Sequence, residues 1–242
     1  MAVTSALSIE NLSYSYPNAG TAIENVSFSI ASGERVALLG ANGAGKSTLL
    51  WCLVGVLPAQ GRVWVGGTLL GHGTEREIRR NLALAFSEPD DQLFMLTVER
   101  DVTFGPLAAG DDLETANEKA LRAAAEVGLR TELMQRPPHE LSSGEKRRAA
   151  LAAILVSGPK VLALDEPTNS LDAPGRQALA ETLAGLDCAQ LIATHDLGFA
   201  SQLCTRALVM VEGRLVDDTD LSDLLADRER LIQYGLATES RA

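Results

Sequence analysis

The sequence predicts an α/β fold: a mostly parallel sheet covered by helices, with an antiparallel β edge and an inserted helical segment. Three observations predict it. First, Arg35–Leu39, Val161–Leu164, Leu191–Ala193 and Ala207–Val211 are short, largely apolar runs. They lack the polar alternation of a half-solvated strand, so they read as strands buried on both faces, the habit of parallel sheets. Second, Leu7 to Val26 alternates apolar and polar residues in two runs around Tyr16-Pro17-Asn18-Ala19-Gly20, which reads as strand, loop, strand of an antiparallel edge. Third, the segment from about 89 to 157 shows helical spacing and no obvious strand.

Taken in order, Val26–Ile30 alternates cleanly, Ala31-Ser32-Gly33-Glu34 is a turn, and Arg35–Leu39 is a strand. A glycine-rich loop then enters a helix over Lys46–Val54, closed by Gly55 and Pro58. Arg62–Val65 is a further strand. Leu113–Val127 carries Ala and Leu at helical spacing and stops at Gly128. Ala207–Val211 and Arg214–Val216, joined by Glu212-Gly213, form a hairpin. A last helix is expected over Leu221–Tyr234 in an acidic tail.

A chain of 242 residues suits one large domain, or a domain carrying a subdomain. Hydrophobic residues reach 46% but aromatics only 4%, so the core is expected to be aliphatic. The net charge of −11 gives no overall electrostatic footprint for nucleic acid, which is not expected as a partner. Cys52, Cys188 and Cys204 are odd in number and form no CxxC pair or Cys/His cluster. They read as buried thiols of a reducing compartment. No basic stretch followed by an apolar run marks a signal peptide in Met1–Glu10, and Leu151–Val156 and Leu208–Val211 fall far short of the ~20 residues that span a bilayer. The chain is expected to be soluble.

Gly40-Ala41-Asn42-Gly43-Ala44-Gly45-Lys46-Ser47 fits G-x-x-x-x-G-K-[ST] without a mismatch, and Thr48 follows in the first helical turn. Small residues let successive main-chain N–H groups wrap an anion, and the helix N-terminus behind them adds partial positive charge. Lys46 is placed to reach β- and γ-phosphates, and Ser47 to offer a hydroxyl to Mg²⁺. Val161–Leu164 ends in Asp165-Glu166. Carboxylates are costly inside a doubly buried strand, so they emerge at its C-terminal edge, where ligands bind in open α/β sheets. Asp165 is the candidate to hold Mg²⁺ through its water shell, and Glu166 the candidate to polarise an attacking water. Together the two motifs indicate a P-loop NTPase core.

Leu141-Ser142-Ser143-Gly144-Glu145, followed by Lys146-Arg147-Arg148, narrows this further. Ser142 with Glu145 is a fair helix capping box, and such a helix start can also present N–H groups to phosphate. Here the chain resembles the ATP-binding cassette (ABC) ATPases, whose signature runs Leu-Ser-Gly-Gly-Gln/Glu. The resemblance covers roughly Leu7–Val216 and implies a single cassette over 1–242, with a core of about 1–88 and 158–242 and a helical subdomain of about 89–157. It implies ATP and Mg²⁺ as ligands and a homodimer in which Ser142, Ser143, Gly144 and Glu145 face the γ-phosphate held by the other copy. It also implies that Tyr16 stacks on adenine, although a plain strand-edge tyrosine is the alternative. Ser170-Leu171-Asp172 resembles the loop that touches the opposite copy, with Asp172 as its acid. His195, in Ala193-Thr194-His195-Asp196, resembles the switch histidine at the γ-phosphate and joins Glu166 and Lys46 as a catalytic candidate.

The family carries a glutamine where this chain has Ser87, in Ala85-Phe86-Ser87-Glu88-Pro89. A serine has the oxygen but a shorter reach, so direct metal ligation from Ser87 is in doubt, with Glu88 or a bridging water as substitutes. Ser143 in place of the first signature glycine is a milder departure. Pro89-Asp90-Asp91-Gln92-Leu93-Phe94, Thr97-Val98-Glu99 and Asp101-Val102-Thr103-Phe104-Gly105-Pro106 resemble the ATPase of energy-coupling-factor importers. That resemblance implies work at the cytoplasmic face of the membrane with a transmembrane coupling protein and a substrate-binding membrane protein, taking up a metal such as cobalt or nickel, or a vitamin. The competing readings are a non-transport cassette of DNA repair or translation, and another P-loop class such as a small-molecule kinase or GTPase. No long coiled coil, tandem cassette or Asn-Lys-x-Asp string is present to support them.

Overall fold

A computed structural model of the chain describes residues 5–18 and 20–238. The loop residue Ala19, and Met1–Thr4 of the stretch read above for a signal peptide, lie outside the described residues, as do the last four of the tail.

In chain order the elements are β1 (Ser5–Tyr16), β2 (Gly20–Ala31), β3 (Arg35–Leu39), α1 (Lys46–Leu53), β4 (Gln60–Val65), β5 (Thr68–Leu69), α2 (Glu75–Asn81), β6 (Leu82–Ala85) and α3 (Val98–Ala109). There follow α4 (Leu113–Glu126), α5 (Ser143–Leu155), β7 (Val161–Asp165), α6 (Ala173–Ala184), β8 (Ala189–Thr194), α7 (Leu197–Leu203), β9 (Arg206–Val211), β10 (Arg214–Asp220), α8 (Leu221–Ala226) and α9 (Arg228–Gln233). The chain divides into two compact units. Among the described residues one comprises 5–84, 160–167 and 187–238, and the other 85–159 and 168–186. The helical segment expected at about 89–157 falls inside the second unit, which also takes in Thr168–Leu186.

The first unit is built on two sheets. Among the described residues one has six strands in the order β10-β9-β3-β8-β7-β6, and the other has four, β2-β1-β4-β5. In the larger sheet β9, β3, β8 and β7 run parallel, while β10 turns back antiparallel on β9. β7 and β8 are buried at every position, as their unbroken apolar runs require. The smaller sheet is antiparallel, and β2 alternates buried and exposed residues because only one face meets the core. Between the sheets lies an aliphatic core that includes Ile9, Ile23, Ile30, Leu38, Leu49, Leu53, Val65 and Leu191. Cys52 and Cys204 are buried and Cys188 is half-buried, and none of the three forms a disulfide.

The β9–β10 turn uses Glu212 (φ +48°) and Gly213 (φ +79°), both in the left-handed region that a two-residue hairpin of matching twist demands. Gly213 has a second constraint. A Cβ there would stand 2.5 Å from the Ala22 carbonyl oxygen. Its N–H donates to the Ala44 carbonyl (3.0 Å), so the hairpin holds the glycine-rich loop.

The single helix expected over Leu221–Tyr234 is corrected to two short ones. Asp227 accepts a hydrogen bond from the Arg230 N–H (3.1 Å) and so caps α9, ending α8 before it. The chain turns there so that Arg230 pairs with Asp217 on β10, to which the Tyr234 hydroxyl also donates (3.0 Å).

In the second unit α3, α4 and α5 pack on one another through small and branched residues such as Val98, Val102, Ala116, Ala120, Ala149 and Ala152. Side chains start each helix: Thr97 for α3, Asp112 for α4, Ser142 for α5 and Asp172 for α6. Asp101 is buried, and one of its oxygens accepts from the Phe94 and Met95 N–H groups (3.0 and 3.1 Å), fixing the loop before α3.

Candidate functional site

Parallel register brings three strand ends to one edge of the six-stranded sheet. Leu39 lies beside Thr194, and Asp165 beside Ala193. The glycine-rich loop therefore leaves β3, Glu166 leaves β7 and His195 leaves β8 at the same edge.

The loop itself is shaped by close approach. Gly45 caps α1 at φ +103°, and a Cβ there would sit 2.8 Å from the Ala22 carbonyl oxygen. Ala41, Asn42 and Gly43 are exposed, whereas Gly40 and Ala44 are buried beneath them. No acidic residue occupies the first turn of α1, which leaves its positive end to a ligand. Lys46 is only 6% exposed, and its ammonium donates to the Gly40 and Ala41 carbonyls (2.8 and 3.3 Å), curling back over the loop.

Glu166 ties the edge together. Its Oε1 stands 3.3 Å from Lys46 Nζ, close enough for an ion pair but out of line for a hydrogen bond, so this buried oxygen has no hydrogen-bond partner. Its Oε2 lies 2.9 Å from His195 Nδ1 and accepts from the His195 N–H at 3.3 Å. Glu166 adopts φ +43°, unusual for a residue with a side chain, while its N–H keeps a bond to the Ala193 carbonyl (2.8 Å). Backbone held in so sparse a region clusters at functional sites.

Asp165 is buried, and burial is the main cause raising its carboxyl above the ordinary range. A hydrogen bond with the Ser47 side chain opposes this, the Glu166 charge adds to it, and the Lys46 charge opposes it. Its Oδ1 has no hydrogen-bond partner. The Asp165 oxygen without a hydrogen-bond partner and the Ser47 hydroxyl fit a hard, oxygen-loving cation such as Mg²⁺. Among the described residues no group of three or more His, Cys, Asp or Glu side chains forms a metal cage.

Lys46, Ser47, Thr48 and Glu166 line a cleft of about 480 Å³ together with Tyr16, Asn42, Gly43 and Gly213. The Tyr16 hydroxyl lies 3.3 Å from Thr48 Oγ1, and its ring stacks edge-on against Tyr14 (centroids 4.9 Å apart). The structure thus gathers Tyr16, the loop from Gly40 to Thr48, Asp165, Glu166 and His195 in the first unit.

The other sequence candidates belong to the second unit. Ser142 and Glu145 form both halves of the capping box. Ser142 Oγ accepts from the Glu145 N–H (3.4 Å), and Glu145 Oε2 accepts from the Ser142 N–H (3.0 Å). Ser142 and Ser143 are exposed, and Gly144 is partly so. Asp172 Oδ1 accepts from the Gly175 N–H (2.9 Å), capping α6 just after Ser170, whose φ is +63°. Ser87 is half-buried, and its carbonyl accepts from Arg147 Nη2 at 2.8 Å. Sequence reasoning missed Arg147, because nothing in the basic helix start Lys146-Arg147-Arg148 marks one of the three for burial, yet Arg147 is 4% exposed. It also missed Gly213, for which the hairpin signal gave a turn but not its contact with the loop.

Residues 23–169 match the family model described as ABC transporter. The chain belongs to the ABC transporter family, as an ATP-binding, ATP-hydrolysing cassette. It is 40% identical to the cobalt import ATP-binding protein CbiO of Rhodobacter capsulatus, over 97% of this chain and 85% of that one. It is also 40% identical to the energy-coupling factor transporter ATP-binding protein EcfA of Carboxydothermus hydrogenoformans, over 96% of this chain and 86% of the relative. Among solved structures, CbiO1 from Clostridium perfringens, part of the ABC transporter complex CbiONQ, superposes with a TM-score of 0.82 at 32% identity, covering 95% of this chain and 94% of that one. The cassette is therefore an ATPase of the energy-coupling-factor and CbiO group. No helix among its described residues is long and apolar enough to cross a membrane.

Proposed function

We propose that this cassette hydrolyses MgATP to power uptake of a small solute, a transition-metal ion such as cobalt or nickel or else a vitamin, through separate membrane subunits. The observation that carries the reading is the closed set of contacts Lys46–Glu166–His195 at the mouth of the phosphate loop. Glu166 faces Lys46 through one carboxylate oxygen and His195 through the other. A γ-phosphate offers Lys46 and His195 a stronger partner and leaves Glu166 to a water molecule.

In this account Lys46 and the loop N–H groups hold the β- and γ-phosphates, and Tyr16 stacks on the adenine. Glu166 orients a water and draws off its proton as the water oxygen bonds to the γ-phosphorus. The bond between that phosphorus and the β-bridging oxygen breaks, giving ADP and phosphate. His195 donates to the γ-phosphate as charge builds there. Ser47 and Asp165 are the residues that would hold Mg²⁺, which would supply positive charge to offset that of the phosphates. Ser142, Ser143, Gly144 and Glu145 of a second copy complete the γ-phosphate shell, with Asp172 at the contact between copies. Ser87 stands where the family has glutamine, and its shorter side chain gives slower or differently coupled hydrolysis. Ser87→Gln is expected to raise basal ATPase activity, and an unchanged or lower rate contradicts that.

The membrane partners meet the second unit. Phe94, Leu96 and Phe104 are 66%, 73% and 48% exposed, and Phe94 packs edge-on against Phe104 (5.5 Å). An apolar patch of this kind supports a protein contact. The cassette then works as a peripheral subunit on the cytoplasmic face. The test is purification of the tagged chain from native membranes in mild detergent. Recovery with multi-span membrane proteins, together with ATPase activity, is expected. Recovery only with ribosomes, nucleic acid or soluble enzymes overturns the proposal.

A further inference from the structure

Arg147 stands on the first turns of α5, and its guanidinium makes three hydrogen bonds, all to main-chain carbonyls. Nη1 donates to Phe86 (3.1 Å), and Nη2 to Ser87 (2.8 Å) and Asn169 (3.2 Å). The side chain is 4% exposed and its Nε has no hydrogen-bond partner. Glu88 is the charge that acts in its favour, and burial acts against it. A buried cation with no hydrogen-bonded carboxylate is a poor source of stability, since an apolar side chain would fill the same space at lower cost. What an apolar side chain cannot do is bind three backbone segments to one rigid plane. The guanidinium fork grips two successive carbonyls and reaches a third, a geometry that lysine's single ammonium lacks.

The segments it joins are those with proposed work at the γ-phosphate and at the contact between copies. They are the loop of Ser87, the loop leading through Ser170 to Asp172, and the helix that begins at Ser142. We infer that Arg147 is a positioning residue that makes these three segments move as one body. This rests on the function proposed above. Arg147 does not line the nucleotide cleft and bonds no residue that does, so its effect is expected on turnover more than on ATP binding by a single copy.

The test compares the full-length wild type with Arg147→Lys, Arg147→Met and a control, Leu151→Ala. The control removes a side chain buried in the same helix that has no hydrogen-bonding group. Amide hydrogen exchange across residues 86–92 and 169–172 is expected to quicken in Arg147→Met by about tenfold or more, but not in the control at an equal loss of melting temperature. The kcat for ATP is expected to fall about tenfold or more while KM changes less than about twofold, with Arg147→Lys intermediate. Exchange and kcat in Arg147→Met that merely match the control, or KM rising in step, overturn the inference. If Arg147→Met does not fold, Arg147→Lys against the control decides in the same way. A wild type that hydrolyses no ATP sinks the proposed function, while the exchange comparison still decides the role of Arg147.

Discussion

Replacing Glu166 by glutamine separates two effects that act in opposite directions on the same site. The amide keeps the size of the side chain and its unusual backbone conformation, but removes the charge facing Lys46 at 3.3 Å and His195 at 2.9 Å. At that first distance and an effective dielectric of about 20, the gross attraction is about 5 kcal/mol. Desolvation of two largely buried groups offsets most of it. A net of about 1–2 kcal/mol remains, which ATP must overcome in the wild type to recruit Lys46. Without the carboxylate that cost vanishes, and so does its repulsion of the incoming phosphates. MgATP is therefore expected to bind Glu166→Gln about five- to thirtyfold more tightly by calorimetry. Turnover should fall by about a hundredfold or more with loss of the base. A folded variant that binds MgATP no more tightly than the wild type would refute the idea that Glu166 holds Lys46 in check. Hydrolysis near the wild-type rate would remove Glu166 from the chemistry altogether.

Gly213→Ala forces a Cβ to 2.5 Å from the Ala22 carbonyl oxygen at φ +79°. It should cost about 2–3 kcal/mol in urea unfolding and weaken ATP binding by shifting Ala44, whereas Gly20→Ala, with open space around it, should leave ATP affinity alone. Glu145 has its carboxyl held below the ordinary value of 4.5, first by the Ser142 N–H, then by the Ser142 hydroxyl and Arg130. A depressed folded value means stabilisation present above the unfolded value and lost as pH falls through the folded one. The stability advantage of the wild type over Glu145→Gln should therefore shrink as pH drops below 4.5, and parallel unfolding curves would contradict this. Burial pushes the Cys52 and Cys204 thiols up to about 12, so neither should take an alkylating label at neutral pH before the unfolding transition, as peptide mass mapping can check.

Much of the site was legible because its signals admit few meanings. A glycine-spaced loop between an apolar strand and a helix, and two acids closing a doubly buried strand, state their chemistry locally. His195 could be placed only through its position in a series, since its partner Glu166 is brought near by the β7–β8 register rather than by sequence distance. The alternation of Leu7–Val26 announces an antiparallel pair but not that β4 and β5 join it as a separate sheet. The break at Asp227 escaped because Leu221–Tyr234 is helical on both sides, and only Asp217 on another element explains why the chain bends there. Arg147 escaped for a related reason. Burial of one arginine in a basic triplet is decided by three carbonyls distant in the chain.

Nucleotide-dependent pairing of two cassettes is the central requirement of this mechanism, and light scattering on Glu166→Gln measures it directly. A particle of 25.6 kDa without nucleotide is expected to double in mass with ATP and return to one copy when Ser142→Arg is added. A species that binds ATP and stays at one copy, or that pairs equally with and without it, would contradict the account.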